Sequence, residues 1–558
     1  MTAPNAAPSA WNPGLESPVP AQLQALCTNH RAENVSTTLH AARELRDLTG
    51  LDMADLVAFR PQRLALHELL IRVTANVSVP DGESIGDLGV NFRRLTRAIQ
   101  ASHIEPRHEQ IESAYVAVRQ NVLKLATKGI DAAANSTKPE TLIAAWNKVA
   151  HGTGDSTQKA IHRALAKVAS ALIVRHGRLW GPRDLLASIV TDMACNEAGS
   201  DAIGALIEPW VLEGAVKEGF RILPRQESPM VMNTKGASAA GKSTLRPMQR
   251  ELTQEIGVDW GDFSLISPDI WRKQLLDYDS LGDNYKYAGP FTGEELRIID
   301  LKLDRYMAEK AARGNMTHML IDRFRFDSFA PDSDEAGSNL LTRFGRTVYL
   351  FFVITPPDSL VERAWVRGLE FGRYKAVEDT LGHGIEAYSG MGQIFTTWVR
   401  RRDKRVHFEF LDNTVPLGER PRTVAFGSND VLRILDLKPL IDVERYRRVD
   451  ANATSSARIW RNSAELVPGN NLGFLRQCMA EFREVQFVDP RDGRIYLQVT
   501  NGAPVWVNRG IFEELTRTLD ARTGMEAVVP GAFSAAVPNR EGVAIPDAER
   551  KHTLGQWG

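Results

Sequence analysis

Residues 226–244 read QESPMVMNTKGASAAGKST. The apolar run from Met230 to Thr234 has the length and flanks of a buried strand. Gly236 follows it, then Gly241, Lys242 and Ser243, at the spacing of a Walker A loop that cradles phosphate. Glycines let successive backbone N–H groups turn inward into a concave nest. The helix that follows adds its positive end. On this reading Gly236, Ala237, Ser238, Ala239, Ala240, Gly241, Lys242, Ser243 and Thr244 hold the phosphates of ATP. Lys242 reaches the β- and γ-phosphates as a point charge. Ser243 offers its hydroxyl to Mg²⁺, and Thr244 caps the helix or touches the α-phosphate. A glycine-rich structural turn is the bland alternative. Pro247 suits the helix only in its first turn, where its missing N–H has no intrahelical role.

Outward from the loop, strand-like runs alternate with helical stretches. The runs are MVMNT, FSLISP, HMLID, TVYLFFVIT and RVHFEFLD. Near-continuous apolar strands separated by helices indicate a parallel sheet covered on both faces. The expected architecture is an α/β P-loop kinase core over 226–440. An all-helical domain over 21–225 precedes it, with apolar residues at three- and four-residue steps. A small α+β region over 441–558 follows, with a hairpin in REVQFVDPRDGRIYLQV and a loose tail from about residue 525. Residues 1–20 are rich in Pro, Ala, Ser and Asn, which predicts a disordered tail, or a secretion address.

The totals set bounds. At 558 residues the chain exceeds what one core usually serves. Its net charge of -1 gives no overall pull toward nucleic acid or anionic membrane. The three cysteines lie far apart, which excludes a disulfide framework and fits a reducing, cytoplasmic compartment. No apolar run is long enough to span a bilayer. The histidines of the helical half have no metal-ligand spacing.

Ligands of an open parallel sheet bind at the carboxyl ends of its strands. Asp269 falls at the end of the second strand, where a carboxylate can take the proton of an attacking hydroxyl or hold a metal. Ser267, Pro268 and Asp269 would also start a helix well. Asp322 falls at the end of the third strand, the place of a metal-organising acid, with Arg323 and Arg325 just beyond. After the fourth strand, Arg363 and Arg367 share one helix face, and Arg373 follows Gly372. Three arginines there can fold over a γ-phosphate as a lid and neutralise its developing charge.

Together the loop GASAAGKST, the acid in ISPD, the helix TGEELRIIDLKLDRYMAEKAARG and the ER…R….GR lid resemble the zeta-toxin kinases over roughly residues 228 to 415. The resemblance implies that Asp269 is the base for a sugar hydroxyl, Lys242 the loop lysine, and Arg363, Arg367 and Arg373 the lid. The words LISPDIWRK, LIDRFRFDSF and RGLEFGRYKAV are similar to a branch of secreted effectors of plant-pathogenic bacteria. That branch phosphorylates the 3'-hydroxyl of the adenosine ribose of NAD, whereas the plasmid-borne toxins act on a UDP-amino-sugar. The resemblance also implies ATP and Mg²⁺ as cofactors and a small antitoxin or chaperone as partner, with export into a host cell.

The acceptor side is read in YDSLGDNYKYAGPFTGEEL, where Tyr285 and Tyr287 could stack on a base or nicotinamide ring, or pack the helix to the sheet. Thr292 and Glu295 have capping-box spacing. Arg323 and Arg325 are expected to contact the acceptor. A polynucleotide kinase lacks support, because no basic track interleaved with aromatics is present. A nucleotide-switched binding protein is the non-enzymatic alternative.

Overall fold

The computed structural model describes residues 7–152, 155–323, 341–416 and 418–558. Its centre is an eleven-stranded sheet. The strands that matter here are β1 (Met230–Gly236), β2 (Phe263–Ile266), β3 (His318–Asp322), β4 (Thr347–Ile354), β5 (Arg405–Asp412), β6 (Arg422–Ser428), β7 (Val431–Ile434), β8 (Glu484–Val488), β9 (Arg494–Thr500) and β10 (Ala503–Val507). They lie side by side in the order β10-β9-β8-β7-β6-β5-β4-β1-β3-β2.

β5, β4, β1, β3 and β2 run parallel. Their burial explains this. All of β2 is buried, as is every residue of β4 after Thr347 and of β5 after Arg405, so helices must cover both faces. β1 sits between β3 and β4, so the crossover helices diverge on its two sides. The carboxyl end of β1 is thus the switch point, the place where such sheets take ligands.

The helical half does not stand apart. Helix α1 (Pro61–Asn76) is buried on nearly every side, as its lack of a polar stripe requires. The Thr74 carbonyl accepts from Ser264 Oγ of β2 at 2.6 Å, and Thr74 Oγ1 accepts from Trp271 Nε1 at 3.2 Å. Helix α2 (Arg183–Lys217) packs on α1, and one apolar core runs continuously from Val35 to Leu554.

Three expectations change here. The stretch over 441–558 adds β8, β9 and β10 to the same sheet instead of building its own, because β7 and β8 pair in parallel. The tail after residue 525 is anchored: Glu409 of β5 accepts from the Leu554 and Gly555 amides at 2.6 and 3.0 Å. Leu554 is 1% exposed. Residues 7–20 also pack on the fold, with Ala10 and Leu15 buried. Single apolar anchors hold both ends, and composition averages conceal them. No helix among the described residues is long and apolar enough to cross a membrane.

Candidate active site

The loop Gly236–Thr244 lies directly at the carboxyl end of β1 and enters helix α3 (Arg246–Glu255), with Pro247 in its first turn. Ala239 and Gly241 both have positive φ, 65° and 93°. A Cβ on Gly241 would collide with the Asn413 amide, so only glycine fits. The Ala240 carbonyl accepts from Asn413 Nδ2 at 2.7 Å and from Thr355 Oγ1 at 3.2 Å. Residues just beyond β5 and β4 thus hold this carbonyl, and the loop keeps its curl. Tyr388 fixes Thr355 in turn, accepting from its N–H at 2.9 Å and donating to its carbonyl at 2.6 Å.

Lys242 Nζ donates to the carbonyls of Gly236 and Ala237, at 3.1 and 2.9 Å. Burial pushes its pKa down, while Asp322 and Asp269 pull it back up. The lysine therefore lies within electrostatic reach of both acids. Ser243 Oγ donates to Asp322 Oδ2 at 2.8 Å. A hydroxyl and a carboxylate so close are hard oxygen donors of the kind Mg²⁺ takes alongside phosphates and water. Arg246, buried behind them, approaches Asp322 at 3.5 Å.

Asp269 stands beyond the end of β2, with its side chain 45% exposed. Its Oδ1 accepts from Arg272 Nε at 2.9 Å, and its Oδ2 accepts from Arg373. Although the carboxylate is partly open to solvent, the protein packed around it would raise its pKa. Arg373, Arg272 and Arg367 outweigh that and hold it far below the usual carboxylate range. Arg272 also donates to the Gly289 carbonyl and to Thr292 Oγ1, both at 2.7 Å, which ties the acid to the acceptor-side segment.

Arg367 and Arg373 come from helix α5 (Pro357–Phe371) and the turn after it. Arg367 Nε has no hydrogen-bond partner among the described residues. Burial first, then Arg373, lowers its pKa to about 9, and Asp269 opposes them. Lys375 bonds His383 of helix α6 (Val377–Val399). Burial and the neighbouring Arg367 push Lys375 well down. Burial and Lys375 take His383 to about 3. Arg367 and Arg373 lie close enough to repel each other, and an anionic ligand beside them would relieve that repulsion.

Several expected residues lie elsewhere. Arg363 donates to the carbonyls of Asn413 and Val415, 2.8 Å each, and braces the loop after β5 instead of joining Arg367 and Arg373. Arg323 is 2% exposed and forks between Asp300 and Asp304 of helix α4 (Gly293–Ala312), both at 2.7 Å. It is an internal anchor. Arg325 lies outside the described residues. The Tyr287 ring stacks on Phe291 at 5.7 Å and its hydroxyl accepts from the Glu16 amide, so packing claims it. Tyr285 is 41% exposed and meets Tyr374 edge-on. Glu295 makes no helix cap; it binds Arg63 and His67 of α1.

Sequence reasoning missed Arg272, Lys375 and Asn413, and it grouped Tyr278 with Tyr285 and Tyr287 as a ring that could stack on a base or pack the helix to the sheet. Arg272 lies three residues after Asp269, a spacing that brings side chains together on a helical turn. Lys375 follows Arg373 by two. The Tyr278 hydroxyl is buried with no hydrogen-bond partner among the described residues, and Arg272, Arg373 and Asp269 all act on it electrostatically. For Asn413 no local signal exists.

No protein-family model matches this chain, and no curated protein matches it. Among solved structures it is similar to a chain of the PezAT chromosomal toxin-antitoxin system of Streptococcus pneumoniae, with 16% identity over 34% of this chain and 71% of that one, at a TM-score of 0.25.

Proposed function

We propose that the chain is a kinase of zeta type, which moves the γ-phosphoryl group of ATP to an alcohol of a nucleotide cofactor, the 3'-hydroxyl of the adenosine ribose of NAD. One observation carries this reading. A glycine loop, its lysine, an ionised acid and the arginines Arg367 and Arg373 lie together at the carboxyl ends of β1 and β2, which supports this reading.

In this reading the nest and Lys242 hold the β- and γ-phosphates. Ser243 and Asp322 would hold Mg²⁺, which when bound spreads the charge of the phosphates. Asp269 accepts the proton of the acceptor hydroxyl. The freed oxygen attacks the γ-phosphorus, the bond to the bridging oxygen breaks, and ADP departs with that electron pair. Arg367 and Arg373 neutralise the charge on the transferring group. Arg373 leaves the Asp269 carboxylate for the phosphoryl oxygens, and the acid is then free to act as base. The choice of NAD rests on the sequence words shared with the effector branch, and so does the reading of the chain as a secreted toxin with a small protein partner.

The test offers the purified chain ATP and Mg²⁺ with NAD, UDP-sugars and short DNA together. We expect NAD to gain one phosphoryl group by mass. If ATP binds and none of the three is modified, the nucleotide-switched binding reading takes its place.

A further inference from the structure

The N-terminal segment makes contacts that neither the phosphate loop nor the acid requires. Its residues bond alternately to the two elements that flank Asp269. On the lid side, Ala10 packs with Val361, Val377 and Leu381. Ser17 donates from its amide to Glu378 Oε1 at 3.0 Å and from its hydroxyl to Asp379 Oδ1 at 2.7 Å. On the acceptor side, the Pro13 carbonyl accepts from Lys286 at 2.9 Å, and the Glu16 amide donates to Tyr287 Oη at 3.0 Å. Thr28 closes the run, its amide donating to the Phe291 carbonyl at 2.9 Å.

Leu15 stands where the two sides meet. It is buried with Tyr374 and Ala376 of the lid, and Tyr287 packs against the same cluster. Tyr374 directly follows Arg373, whose guanidinium holds Asp269. The Tyr374 ring also meets Tyr285 edge-on at 5.6 Å. Further along, Val19, Leu23, Leu26 and Cys27 pack against Leu276, Leu281 and Phe291, in the cluster that includes Tyr278.

We infer that residues 9–28 form a positioning strap, which locks the lid turn 373–379 to the acceptor-side segment 278–291 and so fixes the distance between Arg373 and the acceptor's hydroxyl. The inference deepens the kinase reading and rests on it for its catalytic consequence, but the locking itself is mechanical. A lid tied at Ser17 and Leu15 moves with Tyr285 and Tyr287 as one body. It cannot slide over the loop by itself. No hydrogen bond or apolar cluster joins the strap to Gly236–Thr244 among the described residues, so the loop's own hold on ATP should not depend on the strap. Leu15 and Ser17 are positioning residues; they touch no reacting atom.

The experiment compares the full chain, a chain starting at residue 21, and the double variant Leu15→Ala/Ser17→Ala, with Ser17→Thr as the conservative control. Amide hydrogen exchange is followed over 278–291 and 373–379, and ATP affinity is measured by calorimetry. In the double variant, loss of the Ser17 hydroxyl bond to Asp379 and of the buried Leu15 contact should speed exchange in both segments about tenfold. ATP affinity should stay within about twofold, and Ser17→Thr should behave as the full chain. With acceptor present, KM for the acceptor should rise about tenfold while KM for ATP holds. Unchanged exchange in the two segments overturns the strap, and so does a parallel rise in both KM values. If the full chain phosphorylates nothing, the kinase reading fails alone, and the exchange data still decide the strap.

Discussion

Arg373 donates to Asp269 Oδ2, which latches the lid to the acid at the end of β2. If Asp269 is the base of the proposed reaction, the pair makes the position of Arg373 and the availability of that base one variable. Asp269→Asn keeps a partner for Arg373 but removes the basic oxygen. We expect turnover to fall about 10²- to 10⁴-fold with ATP affinity unchanged. The arginines hold the carboxyl ionised far below its usual range, so Asp269 should impose no acid limb on the rate between about pH 5 and pH 7. Steady-state kinetics across that range check both points.

On the proposed kinase reading, Lys242→Ala removes the point charge that meets the β- and γ-phosphates. ATP affinity should drop about tenfold or more and turnover about a hundredfold. The lysine's contacts are to the loop's own carbonyls, so thermal unfolding should shift by only a few degrees. Calorimetry of binding and of unfolding separates the two effects.

Tyr278→Phe deletes a buried hydroxyl that has no partner among the described residues. A merely structural tyrosine in that position should leave stability unchanged or raised on the swap. A tyrosine that donates to the acceptor should also raise acceptor KM, about tenfold. We expect both outcomes together. An unchanged KM at equal stability would remove Tyr278 from the acceptor site.

Five strands were legible because each is a mostly apolar run between helical stretches, and β3 and β5 match HMLID and RVHFEFLD end to end. The turn that follows β1 was legible from its glycine spacing, and the position of Asp269 from its place after β2. The lid was half legible. Periodicity put Arg363 and Arg367 on one face, but periodicity cannot say that carbonyls of Asn413 and Val415 would claim Arg363. Arg323 misled in the same way, because its acid partners Asp300 and Asp304 come from a helix earlier in the chain. The strap was invisible: Leu15 and Ser17 are isolated residues in a segment whose composition reads as disorder.

His407 sits at 5% exposure, stacked on Tyr349 and on His552, and burial followed by His552 takes its pKa to about 3. A lowered folded-state pKa means the neutral ring is favoured in the fold. Its contribution is therefore complete above the unfolded value near 6.5 and is lost as pH falls from there toward 3. His407→Phe keeps the stacking and removes the titration. Between about pH 6.5 and pH 4 the variant should lose less stability than the parent, by on the order of 2 kcal/mol. Denaturant unfolding at the two pH values reads the difference.

The central claim is that Asp269 activates an alcohol of NAD against the phosphate held by Lys242. The most direct measurement is the mass of NAD after incubation with ATP and Mg²⁺, using the full chain and Asp269→Asn side by side. The account predicts NAD heavier by one phosphoryl group with the full chain, and unmodified NAD with the variant while the variant still binds ATP. Equal phosphorylation by both would contradict it.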